Sequence, residues 1–304
     1  MQRLSTARHT ARTVSALLGM CITVVLASCT SARLASTPRD IPPRIQRGPQ
    51  AARGGSAVVA AIDTLVGAPR EAVIERELLT GNIPAFLRAR QTVRDSVVAS
   101  DGHLHVIEYD VMPDYLAIGD DADFVRMPMT PHTAQTFADA FGYVLPTRRM
   151  VNAIWRAATV KLEPQPLTEA REASGTFLQH HRLIEGQRAN APRRALTAGI
   201  KKDVVVSNRL LERANRVAIY GWHHQNGVPI QPLYVGHVDW YVDYSHGIRL
   251  VRRTMRVDGA PMSFAQIATH PVLHVLVSDE GALVTTRADG GLPLRPMRAG
   301  RPIN

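Results

Sequence analysis

Cysteine and aromatic residues are scarce in this chain of 304 residues. Its two cysteines are Cys21 and Cys29, and aromatic residues make up only 5% of the sequence. Beyond Cys29 the chain offers no thiol, which excludes cysteine-dependent hydrolases, disulfides and zinc–cysteine sites from the folded part. Core packing alone must therefore stabilise the fold, and a chain of this length can form a sufficient core.

The surplus of positive charge is concentrated at the start of the chain. The net charge is +10, of which seven charges lie in residues 1–56 and only three in residues 57–304. A basic leading segment suits translocation and contact with anionic lipid headgroups. Because the rest of the chain is close to balanced, we predict no nucleic-acid partner.

The first 28 residues have the composition of an export signal. Three arginines precede an apolar stretch over 14–27 that is too short to span a bilayer as a stable helix. The stretch ends in LASC, Leu26–Cys29, which resembles the lipobox of bacterial lipoproteins. This resemblance implies cleavage before Cys29, which then carries the lipid anchor, with palmitate among its acyl groups.

Residues 29–56 predict a disordered tether between that anchor and the folded domain. They contain four prolines, three glycines and no sustained apolar period, so they cannot bury enough apolar surface to fold. Thr30, rather than an aspartate, follows Cys29, and by the same resemblance this permits delivery to the outer membrane where the cell has one. We expect an exported lipoprotein of the cell envelope, with a signal peptide over 1–28 and a single domain over 57–304.

Helices are predicted early in that domain and strands late. Thr130 and Thr147 each fit the N-cap of a helix, and the first of these helices should end at Gly142. A further polar helix is predicted from Thr168 to Arg188. From Asp203 onward the pattern changes to strands, with a hairpin turn at Asn226–Gly227. The fold class expected is α+β, with N-terminal helices and a mostly antiparallel C-terminal sheet.

The stretch GHVDWYVDYSHG, Gly236–Gly247, alternates apolar and polar residues and predicts a strand. One face is apolar, with Val238, Trp240, Val242 and Tyr244. The other presents an imidazole, two carboxylates, a phenol and a hydroxyl, on His237, Asp239, Tyr241, Asp243 and Ser245.

Proton-transfer groups on one face predict a catalytic surface. The catalytic residues expected are His237, Asp239, Tyr241, Asp243 and His246. One of the histidines would act as general base, an aspartate would orient it, and the tyrosine would donate a proton or a hydrogen bond. The alternative is an ordinary solvated sheet surface, in which Ser245 is a turn hydroxyl rather than a nucleophile.

A zinc site is a second possible use of the same residues. If the strand of YGWHH, Tyr220–His224, lies beside the stretch, His223 could approach His237 and Asp239. Two imidazoles and one carboxylate can hold a zinc ion with an open position that activates water. The spacing matches no known metal motif, so ordinary polar positions for these residues are an open alternative.

Three residues are candidates for substrate binding. Trp222 and Tyr234 can stack on sugar rings, and Lys202 can bind an anionic group; its alternative is an exposed strand end. Together these features predict a hydrolase of an envelope polymer, either peptide (as in peptidoglycan) or glycan. The alternative is a non-enzymatic envelope protein that binds glycan or a partner protein.

Four segments resemble a family of exported bacterial proteins to which no activity is attached. They are DFVRMPMTPHTAQ, LPTRRMV, YVDYSHGIRLV and LVSDEG. The resemblance implies a single-domain exported unit and adds no substrate.

Overall fold

The computed structural model describes Ile45 and residues 53–291. Cys29 and the predicted lipobox, the predicted export signal and all of the predicted tether up to residue 52 except Ile45 lie outside the described residues. The first helix begins at Gly55, two residues before the predicted start of the domain at residue 57. Arg53 already forms an ion pair with Glu77 of the second helix.

Six α-helices and fourteen strands make up the described part of the chain. The helices are α1 Gly55–Ala61, α2 Ala68–Leu79, α3 Pro131–Phe141, α4 Arg148–Ala157, α5 Ser174–Arg188 and α6 Phe264–Ala268. The strands are β1 Gln91–Val98, β2 Leu104–Val111, β3 Ala117–Gly119, β4 Phe124–Arg126, β5 Tyr143–Val144, β6 Val160–Lys161, β7 Thr197–Ala198, β8 Lys202–Val204, β9 Ile219–His223, β10 Pro229–Tyr234, β11 His246–Gly247, β12 Val251–Arg252, β13 Thr254–Val257 and β14 Ala260–Ser263.

The larger sheet draws its strands from both halves of the domain. Its order is β14-β13-β2-β12-β5, with β1 also paired to β2, and every pairing is antiparallel. On β2 the side chains of Ile107, Tyr109 and Val111 alternate into the core and are at most 2% exposed. The α+β class and the single domain are confirmed.

A smaller four-stranded sheet positions the residues of functional interest. Its order is β10-β9-β8-β11, so β8 is an interior strand, antiparallel to β9 and parallel to β11. The predicted hairpin is present, because β9 and β10 pair across a turn in which Gly227 has φ +87°. An interior position for β8 overturns the alternative of an exposed strand end for Lys202, which is only 8% exposed.

The two capped helices are confirmed. The side chain of Thr130 accepts a hydrogen bond from the backbone N–H of Thr133, and Gly142 ends α3 in the left-handed conformation. Thr147 caps α4 in the same way, through the N–H of Met150.

The stretch 237–245 does not form the strand that its alternation predicts. Only Val238 forms an isolated bridge, and the strand β11 begins at His246. The burial does not alternate either, since Val242 and Tyr244 are buried as predicted but Asp243 and Ser245 are also fully buried, while Trp240 is 57% exposed. The reason is local: the Asp243 carboxylate accepts bonds from both the backbone N–H and the hydroxyl of Ser245, and this turn replaces ladder pairing.

Candidate functional site

Four of the five predicted catalytic residues meet in the turn that precedes β11. We call His237, Tyr241, Asp243 and His246 the His–Tyr–Asp cluster. The rings of His237 and Tyr241 stack with centroids 4.4 Å apart, and the ring of His246 lies 5.8 Å from Tyr241 and 6.2 Å from His237. The Tyr241 hydroxyl donates to Asp243 Oδ2 at 3.1 Å, which joins the rings to the carboxylate.

Asp243 is an ionised carboxylate in the interior of the protein. Burial works against its ionisation, but His246 and the hydrogen bonds from Ser245 and Arg171 outweigh burial and hold the pKa of Asp243 well below its usual range. Arg171 Nη2 donates to Oδ2 at 2.7 Å, and the Ser245 hydroxyl donates to Oδ1 at 2.5 Å. Ser245 is therefore the turn hydroxyl of the alternative interpretation.

The two imidazoles of the cluster are neutral at neutral pH. Burial lowers the pKa of His246 to about 4, and it also lowers the pKa of the half-buried His237. No described residue forms a hydrogen bond with either imidazole. Burial raises the pKa of Tyr241 to about 12, so this phenol keeps its proton. The cluster thus places an unprotonated base beside a phenol and a fixed negative charge.

Asp239 does not join the cluster through any hydrogen bond. Its Oδ2 lies 3.0 Å from Nε2 of His132 on α3. This hydrogen bond raises the pKa of His132. The carboxylate that contacts the cluster is Asp243, and Asp239 instead fixes the turn to α3.

The predicted zinc ligands have separate partners. His223 Nε2 donates to Asn152 Oδ1 at 2.9 Å, and its ring stacks on Trp155, whereas His237 stacks on Tyr241 and Asp239 binds His132. Within residue 45 and residues 53–291, no group of three or more His, Cys, Asp or Glu side chains is placed to hold a metal ion. The three predicted ligands make separate contacts in this structure, and the zinc site stays a prediction from the sequence.

Lys202 and Trp222 lie next to the cluster on the smaller sheet. Lys202 is the register partner of His246 across β8 and β11, and its Nζ lies 5.6 Å from the centre of the Trp222 ring. Trp222 is 3% exposed and has φ +58°, a conformation that a bulky L-residue rarely adopts. Tyr234 is 43% exposed and its ring meets His237 edge-on at 5.1 Å. Tyr234 therefore contacts the cluster directly through His237, and Lys202 is paired with His246 across the two strands. Trp222 lies next to Lys202.

Arg171 is the residue of this site that the sequence did not indicate. The pattern placed it inside a helix from Thr168, but α5 begins only at Ser174. A turn containing Ala170, with φ +42°, precedes the helix and brings Arg171 to Asp243. The positive φ of an alanine has no signal in a single sequence, so this contact was not predictable.

A second group of polar residues lies on the opposite face of β8. Since neighbours on a strand point to opposite faces, Asp203 projects away from Lys202. It enters a small pocket whose lining includes Tyr115, Trp155, Trp222, His223 and Arg249. The Tyr115 hydroxyl donates to Asp203 Oδ2 at 2.8 Å, and burial raises the pKa of Asp203 to about 7. Of the residues that line this pocket, Trp222 also contacts Lys202, the register partner of His246.

The described residues include no helix with both the length and the apolar character needed to cross a membrane. No family model matches the chain, and no curated protein or solved structure is similar enough to it to give a match.

Proposed function

We propose that this protein is a cell-envelope hydrolase that cleaves a peptide or glycan polymer with His237 as general base. The observation that carries the proposal is the neutral, half-buried imidazole of His237, stacked on Tyr241 and close to the ionised Asp243. A neutral imidazole is the side chain best suited to take a proton from water at neutral pH.

The cluster supports a two-step proton transfer. A free ring nitrogen of His237 takes a proton from water as the water oxygen bonds to the substrate carbon. The imidazolium then returns that proton to the leaving nitrogen or oxygen as the scissile bond breaks, so no proton is gained or lost. The negative charge of Asp243 favours the protonated form of His237, and it therefore stabilises the imidazolium that exists between the two steps.

The envelope location is part of the proposal and depends on Cys29. We expect wild-type protein expressed in a bacterium to incorporate radiolabelled palmitate and to fractionate with membranes, whereas Cys29→Ala should do neither, because one cysteine carries the whole anchor. Unlabelled wild-type protein would contradict the lipoprotein assignment. Cys21→Ala, within the export signal, is the matched control and should keep the label.

The catalytic assignment predicts that His237→Gln lowers turnover at least about 100-fold, the usual effect of removing a general base. The free energy of unfolding should change by less than about 1 kcal/mol, because the side chain is half-buried and makes no hydrogen bond to a described residue. Turnover is measured by incubating the protein with purified sacculi and with envelope glycans, followed by mass analysis of the soluble products. His224→Gln is the matched control, since that histidine is exposed and pairs with Glu163 away from the cluster.

The same assay separates the enzyme from a binding protein. Wild-type protein that sediments with sacculi yet releases no product from any of these polymers would contradict the hydrolase and favour a glycan-binding role. Full activity in His237→Gln would place the base elsewhere.

A further inference from the structure

Lys202 is a mostly buried lysine whose ammonium group has no hydrogen-bond or ion-pair partner among the described residues. The residue is 8% exposed, and its Nζ forms no hydrogen bond and no ion pair with any residue in the described part of the chain. Its one close contact is the face of the Trp222 ring. A cation–π contact offsets only part of the cost of removing an ammonium group from water, so this position calls for an anion.

The nearest carboxylate cannot serve as that anion because its oxygens are already occupied. Asp243 Oδ1 accepts from the backbone N–H and the hydroxyl of Ser245, and Oδ2 accepts from Arg171 and Tyr241. Arg171, Lys201 and Lys202 all interact electrostatically with the carboxylate of Asp243, but among the described residues only Arg171 forms an ion pair with it. The ammonium group of Lys202 is therefore left without an ion-pair partner in the described part of the chain.

Unpaired polar atoms belong to two neighbours of Lys202. Both ring nitrogens of His246, the register partner of Lys202, are buried and lack a hydrogen-bond partner among the described residues. The indole N–H of Trp222, whose ring lies under the ammonium group, is also buried and unpaired. Buried polar groups are nearly always paired, so several unpaired atoms around one cation indicate a place for a ligand with oxygen acceptors.

We infer that Lys202 binds a carboxylate group of the envelope polymer beside the bond that is cleaved. This inference rests on the proposed hydrolase, whose base His237 belongs to the same cluster. A carboxylate carries one negative charge and matches the one unpaired positive charge, whereas a phosphate can carry two. Carboxylates occur both on the peptides and on the acidic sugars of envelope polymers, and the chemistry of recognition is the same for both.

The test compares sacculi with free carboxylates and sacculi whose carboxylates have been converted to methylamides with a carbodiimide and methylamine. Wild-type protein should release product from the free form at least about tenfold faster, as expected for one charge-assisted hydrogen bond. Lys202→Met should lose this preference, so that both forms are cleaved at the rate at which the wild type cleaves the methylamide form. Lys202→Arg keeps the charge and should retain part of the preference. Lys161→Met is the control, because Lys161 lies over Trp155, away from the cluster.

Two further measurements make the result decisive. A urea unfolding curve establishes that Lys202→Met is folded. Cosedimentation with sacculi measures binding without turnover, and binding of Lys202→Met to the free form that is as strong as that of the wild type would overturn the inference. To identify which carboxylate is recognised, binding is compared between the free acid and the methylamide of a short peptide, and likewise between the two forms of an oligouronate.

The outcomes for the two proposals are distinct. Equal wild-type cleavage of free and methylamide sacculi would overturn carboxylate binding and leave the hydrolase standing. No cleavage of either form, with binding that depends on both Lys202 and the carboxylates, would overturn the hydrolase and support the carboxylate site. A rise in melting temperature with inorganic phosphate, present in wild type and absent in Lys202→Met, would assign the site to phosphate instead.

Discussion

Asp243→Asn should lower the free energy of unfolding by about 3 kcal/mol and remove nearly all turnover. The amide that replaces the carboxylate cannot form an ion pair with Arg171, and its NH₂ group must face a donor from Ser245, Tyr241 or Arg171. Breaking a fully buried ion pair costs about 3–5 kcal/mol. We take the lower end of that range because the Arg171 side chain is 39% exposed and water screens part of the charge. Turnover falls because the charge that stabilises protonated His237 is lost.

Urea unfolding and product release from sacculi measure the two effects in the same preparation. The matched control is Asp279→Asn, which breaks a pair with Arg148 in which both side chains are about one third exposed. A surface pair of this kind contributes under about 1 kcal/mol, and turnover should not change. If Asp243→Asn were as stable and as active as this control, Asp243 would be neither the structural nor the electrostatic centre of the cluster.

Local signals in the sequence were sufficient to predict several elements of the fold. The caps at Thr130 and Thr147, the stop at Gly142 and the Asn226–Gly227 turn each depend on a few adjacent residues, and the structure confirms them. The large sheet was less predictable. Its strand β2 pairs with strands that lie more than a hundred residues later in the chain, and the local pattern of apolar and polar residues does not predict such a pairing.

The structure brings four of the predicted catalytic residues together, but in and just after a turn rather than on the predicted strand. An alternating pattern predicts a strand, but Asp243 and Ser245 can hydrogen-bond their own backbone, and here this competition with the ladder produced a turn. The turn still brings His237, Tyr241 and His246 together, while it sends Asp239 to His132. Arg171 lies 72 residues before Asp243 along the chain, and the burial of Lys202 follows from β11 closing one side of β8. Neither feature can be read from local sequence.

Acidification from pH 6.5 to pH 5 should lower the free energy of unfolding by about 4 kcal/mol. Burial lowers the pKa of four histidines: that of His180 to about 2, that of His181 to about 3, and those of His223 and His246 to about 4. In the unfolded chain a histidine has a pKa of about 6.5. Over this window the unfolded state therefore binds up to four more protons at these sites than the folded state, and the stability that is fully present above pH 6.5 is lost as the pH falls.

Two buried carboxyl groups act in the opposite direction and reduce the net effect. Burial raises the pKa of Asp203 to about 7 and also raises the pKa of Glu71, so the folded state binds protons there that the unfolded state does not. Asp203 offsets about one of the four protons and Glu71 offsets part of another, and the unfolded histidines are only half protonated at pH 6.5, so at about 1.4 kcal/mol per proton and pH unit the net loss over 1.5 units is roughly 4 kcal/mol. His105 and His132, whose pKa values are raised, are protonated in both states below pH 6.5 and contribute little.

Urea unfolding at a series of pH values between 5 and 7 measures this slope directly. His180→Phe provides the sharpest test, because His180 is fully buried, packs edge-on against Trp222 and Tyr244, and has two unpaired ring nitrogens. A phenyl ring fills the same space without titrating, so this variant should lose about 2 kcal/mol less than wild type over the same window. A wild-type stability that stays constant from pH 6.5 to pH 5 would mean that these interior histidines accept protons in the folded state. That result would also count against the neutral, unprotonated state of the His237 imidazole, which its role as general base requires.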